Sequence, residues 1–465
     1  MTQSQRLVSN IKYYSLGVLS SKALIFLFIP IYSVFINPEA LGRFQYLHSI
    51  IALVIPLLYQ SIWEGMFRYS IVSKGKEYDV INTTTNYCVV LSLLYTIVFA
   101  FSAFVWKIEY SGYILLCGLS QVAISYWQYA ARALKENKAY AIASIIGTLV
   151  TVLLNVVLIV FLKWQIDALF LSLALGAFSG TVYLEYKLRL IKHSRNGKWE
   201  KELLKTIIKY SLPLAINSIS WWLVSSCNNI VVTQALGDSA NGVMAMAQRF
   251  GSIFAIITSI INMAWQEESF RTLYDEDKDA YFNKVLVLYT RIVFSAVIVL
   301  IPITFILYKM MVFGDYATGV SLTSVLYIIT AYNAVSTHLG SGFLARGESK
   351  VLFWTTLLAG IITVVLSVIL IRFFGIIGVL YASLIACVVN LIVRIKLLRG
   401  KMDLQVNYMR LILLTLLCGI VAVVCAIIGL NYLGNSVVLA FTSCFLIIYN
   451  KDFLLTSLHK FLKRK

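Results

Sequence analysis

Charge is what this sequence has least of. Asp, Glu, Lys and Arg together make up 13 % of 465 residues, about half the share in an ordinary soluble domain, which excludes a water-soluble globule. Cysteine is sparse and unpatterned: the seven thiols lie in apolar stretches with no C-x-x-C spacing, so neither a disulfide framework nor a zinc site is expected. They read as small buried hydrophobes. The four histidines, His48, His193, His338 and His459, show no metal-ligand spacing. There is no P-loop and no GxGxxG, so nothing in the chain points to ATP. The first fifteen residues lack a small-residue cleavage site, and no cleaved leader is expected. Of only five prolines, Pro30, Pro56, Pro213 and Pro302 fall in or at the start of apolar runs, where a missing backbone donor permits a bend.

What is abundant is apolar surface. Hydrophobic residues are 60 % of the chain, and at about 20 residues per crossing they supply about fourteen membrane helices. Fourteen nearly uncharged segments are found: 14–34, 44–63, 83–106, 110–130, 141–162, 168–186, 210–234, 241–265, 285–307, 316–339, 351–371, 375–393, 408–430 and 434–449. The expected fold is therefore an all-α polytopic membrane protein.

Basic residues outnumber acidic ones 39 to 21. In a soluble protein that excess would suggest nucleic acid, but its placement gives a different answer. With the N-terminus inside, 31 lysines and arginines fall in inner segments and only Arg43, Lys107, Lys163, Lys309 and Arg372 in outer loops. The positive-inside rule then puts both termini in the cytoplasm. Three cations are left inside spans: Lys22, Arg249 and Arg291.

The two halves echo one another. Ala131–Asn155 and Ala345–Ser367 both open on Ala-Arg and run through a lysine into an apolar span; Ala40-x-Gly42 matches Ala240-x-Gly242, and Trp63 matches Trp265. This predicts a six-helix lobe over 1–187, a basic linker over 188–209, a second six-helix lobe over 210–395 in parallel repeat, and two appended helices with a tail over 396–465. A two-lobed repeat with a site between its halves is the layout of alternating-access transporters.

An arginine or lysine inside a span needs a polar cavity, a partner or a route to the interface. Lys22, Arg249 and Arg291 are thus candidates for a cationic cavity that takes an anionic substrate. Polar side chains at helical spacing support it. Gln121, Ser125, Gln128 and Arg132 share one helix face; Asn217, Trp221, Ser225 and Asn228 share another; Gln248 heads a stripe beside Arg249. Amides, hydroxyls and indoles suit a sugar, and cations suit phosphate. Arg132 and Arg346, at matching places in the two repeats near the inner mouth, are candidates to receive a phosphorylated headgroup. No constellation for catalysis is present in the sequence, so no enzyme is expected.

The strings FINPEALGRFQYLHSI, RALKENKAYAIAS, YSLPLAINSISWWLVSSCNNIVV, NGVMAMAQRFGSIFAIITSIINMAWQEESF and FFGIIGVLYASLIA together resemble the polysaccharide flippases, the Wzx-type oligosaccharide repeat-unit transporters of the multidrug/oligosaccharidyl-lipid/polysaccharide exporter superfamily. The resemblance implies translocation of an undecaprenyl-pyrophosphate-linked oligosaccharide for O-antigen, capsule or exopolysaccharide across the bacterial plasma membrane. It also implies alternating access, no cofactor, coupling to an H+ or Na+ gradient, and as partners the lipid-linked substrate, a polysaccharide polymerase and chain-length machinery. Where many relatives carry an Asp-Arg pair late in the seventh span, this chain has Asn228 and Asn229, so no charge role carries over there. A multidrug-type antiporter usually places an acid in its first helices, where this chain has Lys22. A lipid-linked peptidoglycan-precursor flippase is similar in size and span count.

Overall fold

Apolar segments that must hide every backbone N–H and C=O from lipid have one local solution, the helix, and among the described residues every regular element is helical. The structure, a computed structural model, describes residues 26, 28–73, 75–195, 197–271 and 276–452. Lys22 and most of the first expected span lie outside the described residues. The helices are α1 (Ile29–Phe35), α2 (Pro38–Leu58), α3 (Ile62–Val72), α4 (Glu77–Trp106), α5 (Ser111–Ala133), α6 (Asn137–Asn155), α7 (Ile166–Leu188) and the short α8 (Leu190–Ser194). They continue with α9 (Lys201–Ser225), α10 (Cys227–Leu236), α11 (Asp238–Arg271), α12 (Lys278–Met311), α13 (Val320–Ala345), α14 (Ser349–Arg399), α15 (Tyr408–Ile428) and α16 (Tyr432–Tyr449).

Ten of these are long and apolar enough to cross a membrane. The helices that carry the first two polar stripes, α5 and α9, are outside that set: their amide, hydroxyl and indole side chains lower the hydropathy that the other helices owe to Leu, Ile and Val. Helix α14 is too long for one crossing. Its 51 residues would span about 76 Å if straight, against about 30 Å of hydrocarbon. Gly375, at φ 59° and ψ −140°, breaks it into two halves that coincide with the expected spans 351–371 and 375–393.

The expected span 44–63 is broken too. Pro56 lies inside α2, and Gln60 and Ser61 adopt left-handed φ of 54° and 47°, a conformation that costs non-glycine residues energy and is held only by its surroundings. Here Tyr87 on α4 donates to Gln60 Oε1 at 3.2 Å, and the Tyr59 hydroxyl pairs with Ser92 at 2.9 Å. The break re-aims α3, which carries Glu64, Phe67 and Arg68. Span seven is likewise two helices, α9 and α10, meeting at Ser226.

The helices gather into two compact units, Met1–Gly242 and Val243–Lys465. This packing boundary does not coincide with the 188–209 linker expected from the repeat. Helix α9 begins inside that linker, and α9 and α10 pack on the first unit: a Cβ on Gly65 would meet Ile207 Cγ2 at 2.6 Å, Trp222 Nε1 donates to the Ser49 carbonyl at 2.7 Å, and Asn229 Nδ2 donates to Ser49 Oγ at 2.9 Å. In the second unit α15 and α16 pack on α12 and α13, with Tyr332 and Thr415 hydroxyls 2.7 Å apart and Asn450 donating to Ser295 Oγ at 3.1 Å.

Each unit carries the same clamp. In the first, Asp79 Oδ1 accepts from Lys198 N at 2.8 Å and Thr83 Oγ1 accepts from Glu200 N at 3.2 Å, fixing the segment before α9 to the start of α4. In the second, Asp279 Oδ2 accepts from Asp403 N at 2.8 Å, and Asn283 accepts from Gln405 N at 2.9 Å, fixing the segment before α15 to the start of α12. The two sets of contacts join corresponding kinds of element, a segment before one helix to the start of another. Six cysteines are buried and free, but Cys444 is exposed, because α16 turns that face away from α12.

Candidate functional site

The groups with the chemistry to hold a phosphorylated sugar collect at the basic end of the first unit, on α3, α5 and α9. Gly65 sets the spacing, since only a residue without a side chain lets α9 come so close to α3. That approach seats the Arg68 guanidinium 4.2 Å over the ring of Tyr210, which meets Tyr69 edge-on at 6.0 Å. On the neighbouring residue of α3, Phe67 lies 4.9 Å under the Arg132 guanidinium, and Tyr129 flanks the same cation at 5.2 Å. Glu64, one turn before Arg68, attracts Arg132 electrostatically. Both guanidiniums have a flat face packed on a ring, and the planar N–H fork of an arginine matches an oxyanion bidentately.

The rest of the α5 stripe is spent in packing as well as in lining. Gln121 pairs with His48 Nε2 at 3.0 Å and Gln128 donates to Ser144 Oγ at 3.3 Å. The opposite face of α5 borders a separate cavity of about 370 Å³ shared with α4, lined by Thr85, Cys88, Ser92, Val122, Tyr126 and Trp127. Val89 and Leu93 at its edge are exposed, so this cavity opens on the lipid-facing side and is distinct from the stripe. On α9, Asn217 is half-buried and Trp221 is 45 % exposed. Asn228, on α10, is buried beside Asn229, whose amide bonds α2.

In the second unit, Gln248 and Arg249 are half-buried on α11, with Tyr316 in electrostatic range of the guanidinium. Arg291 lies 4.7 Å over the ring of Tyr449 on α16, which gives it an aromatic partner inside the unit. Arg346 Nη1 donates to the Gly342 carbonyl at 2.9 Å, closing the end of α13. The structure therefore brings Arg132 into an aromatic cluster and leaves Arg249, Arg291 and Arg346 at separate places on α11, α12 and α13.

Two arginines were missed by sequence reasoning. Arg68 was counted with the inner loops; its signal was the Phe67-Arg68-Tyr69 triplet. Arg394 was also counted with the inner loops, and this is corrected: it is 3 % exposed inside α14. Its Nε donates to Thr355 Oγ1 at 3.1 Å, Nη2 to Thr356 Oγ1 at 3.0 Å and Nη1 to the Ser336 carbonyl at 2.9 Å. The cue was the adjacent Thr355-Thr356 pair in the preceding half of the same helix, a pairing that only the Gly375 reversal creates. Among the described residues no group of three His, Cys, Asp or Glu could hold a metal.

No family model matches the sequence. An uncharacterized membrane protein of Methanocaldococcus jannaschii is 23 % identical over 404 residues, covering 81 % of this chain and 94 % of that protein. Among solved structures, the lipid II flippase MurJ in its inward closed conformation is similar with a TM-score of 0.71 at 12 % identity, covering 95 % of this chain and 99 % of that one. An inward-facing multidrug resistance MATE family transporter of the MOP superfamily is similar at 0.66 and 14 % identity, covering 85 % and 95 %. The chain is a polytopic membrane protein with the fold of the MOP-superfamily transporters.

Proposed function

We propose that this protein is a flippase that carries an undecaprenyl-pyrophosphate-linked oligosaccharide, a repeat unit of O-antigen, capsule or exopolysaccharide, across the bacterial plasma membrane by alternating access. The observation that carries the reading is the pair of aromatic-seated guanidiniums, Arg68 and Arg132, at the basic end of the first unit. A pyrophosphate offers several oxyanions that guanidinium N–H groups bind in charge-assisted pairs, and the sugar's C–H faces stack on rings such as Tyr129 and Trp221. The fold shared with a lipid II flippase over nearly the whole chain supports a lipid-linked substrate. Both termini are taken as cytoplasmic on the distribution of lysine and arginine, and the sugar polymerase and chain-length machinery act on the delivered product.

Deleting the gene is expected to leave lipid-linked oligosaccharide on the cytoplasmic face while its synthesis continues. If repeat-unit synthesis itself stops, the transporter reading is wrong. If peptidoglycan precursor accumulates instead, the fold works on lipid II, and if only drug sensitivity changes, it is an antiporter.

A further inference from the structure

The segment that joins α7 to α9 is strongly basic and is held in place. All eight lysines and arginines from Lys187 to Lys209 are exposed, against two acids, Glu200 and Glu202. None of the eight side chains has an ion pair among the described residues. Three apolar side chains stand exposed among them: Tyr186 at 77 %, Trp199 at 52 % and Ile191 at 47 %. The backbone beneath is pinned at both ends. Glu185 Oε1 accepts from Ile191 N at 3.1 Å while its other oxygen accepts from Trp127 Nε1 at 2.9 Å, and Leu190 is buried. Gly197 passes so close to α4 that a Cβ there would meet the Tyr78 carbonyl oxygen at 2.2 Å, and the clamp of Asp79 and Thr83 holds Lys198 N and Glu200 N, on either side of Trp199. Helices α7 and α4 are each long and apolar enough to cross a membrane, so a segment fastened to the end of one and the start of the other lies where they leave the bilayer.

Membrane topology asks only for positive charge in such a segment, and a solvated linker supplies it. It does not ask for an exposed indole beside Lys198 on a fixed backbone. The clamped segment of the second unit shows the other arrangement. There Lys401 pairs with Glu348, and Arg399 lies 5.1 Å over the Tyr408 ring and donates to the Leu404 carbonyl at 3.3 Å, so both cations are spent inside the protein. In the first unit the cations stay exposed around Trp199 and Ile191. An indole, with an apolar ring and one N–H, is at home at the depth of lipid headgroups, and exposed cations beside it complement lipid phosphate.

We propose that this segment is a docking surface for anionic phospholipid headgroups, with Trp199 and Ile191 set into the headgroup layer and the surrounding lysines and arginines on lipid phosphates. The rigid backbone holds the anchors and the charges at one level, so the surface collects anionic lipid from a mixed bilayer. Lipid binds here without any transported substrate, so this proposal stands or falls apart from the flippase reading.

Quenching of Trp199 by brominated lipid tests it. The full-length protein is placed in nanodiscs of mixed phosphatidylcholine and phosphatidylglycerol, with one lipid or the other brominated near the headgroup at equal bromine content. The difference in emission between wild type and Trp199→Phe isolates this indole from the remaining tryptophans of the nine. Brominated phosphatidylglycerol is expected to quench Trp199 about fivefold more effectively than brominated phosphatidylcholine, the gain in affinity that one lysine brings near an anionic leaflet. The preference is expected to fall to near one in the triple variant Lys192→Gln, Lys198→Gln, Lys201→Gln, whose replaced side chains are all exposed. Equal quenching by the two lipids overturns the proposal, as does no quenching by either, which would place Trp199 in water or against a protein partner. A preference unchanged in the triple variant overturns it too. If that variant fails to fold by circular dichroism, the wild type at about 1 M salt decides, where charges more than about 3 Å apart are screened: a preference that does not fall severalfold there overturns the proposal.

Discussion

Gly42 and Gly242, which hold matching places in the sequence repeat, touch one another backbone to backbone. A Cβ on Gly42 would lie 1.8 Å from the Asp238 carbonyl oxygen and 2.7 Å from Gly242 N, and a Cβ on Gly242 would lie 1.9 Å from the Pro38 carbonyl oxygen. The starts of α2 and α11 are pressed together there, with the Asn241 amide donating to the Gly42 carbonyl at 2.9 Å and Arg43 reaching Asp238 at 3.8 Å.

Gly42→Ala and Gly242→Ala are expected to destabilise this arrangement by about 1–3 kcal/mol each, the usual cost of overpacking, because backbone cannot move aside as a side chain tip can. Gly112→Ala is the control: nothing lies within 4 Å of its Cβ position, and alanine is the better helix former. Thermal unfolding in detergent measures both, with lower Tm for the first two and an equal or higher Tm for the third.

Removing either clamp is expected to free the segment it holds. Asp79→Ala releases residues 198–200 from α4, and Asp279→Ala releases residues 403–405 from α12. Limited trypsin digestion reads this as severalfold faster cleavage at Lys198 and Lys201 in the first variant and at Arg399 and Lys401 in the second, since cleavage follows local opening. Each variant leaves the other unit's cleavage rate unchanged.

Arg394→Met is expected to cost about 3 kcal/mol or more, since it leaves Thr355, Thr356 and the Ser336 carbonyl without their donor. Arg394→Lys recovers only part, because one ammonium cannot occupy the three positions that the guanidinium reaches. Denaturant unfolding of the purified protein checks the order wild type, Lys, Met.

Arginine-to-lysine exchange separates two of the candidate cations, Arg132 and Arg249. At Arg132 lysine keeps the charge but loses the flat face stacked on Phe67 and Tyr129, so Arg132→Lys is expected to impair surface-polysaccharide export nearly as much as Arg132→Ala. At Arg249 charge is the asset, so Arg249→Lys retains more export than Arg249→Ala. Both are scored at equal protein level; full export by both Arg249 variants removes that residue from the site.

Composition and its long apolar runs decided that the chain lives in a membrane as a bundle of helices, because a continuous apolar run of about 20 residues in lipid satisfies its backbone hydrogen bonds within itself only as a helix. The strings Ala40-x-Gly42 and Ala240-x-Gly242 were also legible in the sequence, and their glycines meet where small residues let two helices approach. Tertiary structure decided the rest. It put Arg394 inside the protein although its neighbours in sequence read as a basic loop, because its three partners come from Ser336, Thr355 and Thr356, far along the chain. It made a cluster of Arg68, Arg132 and Tyr210, which no spacing within one helix relates, and it placed His338, unremarkable in sequence, between Trp265 and Tyr289. Periodicity tells which residues share a helix face; only the packing of one helix on another tells which charges are seated, which are paired and which are left unsatisfied.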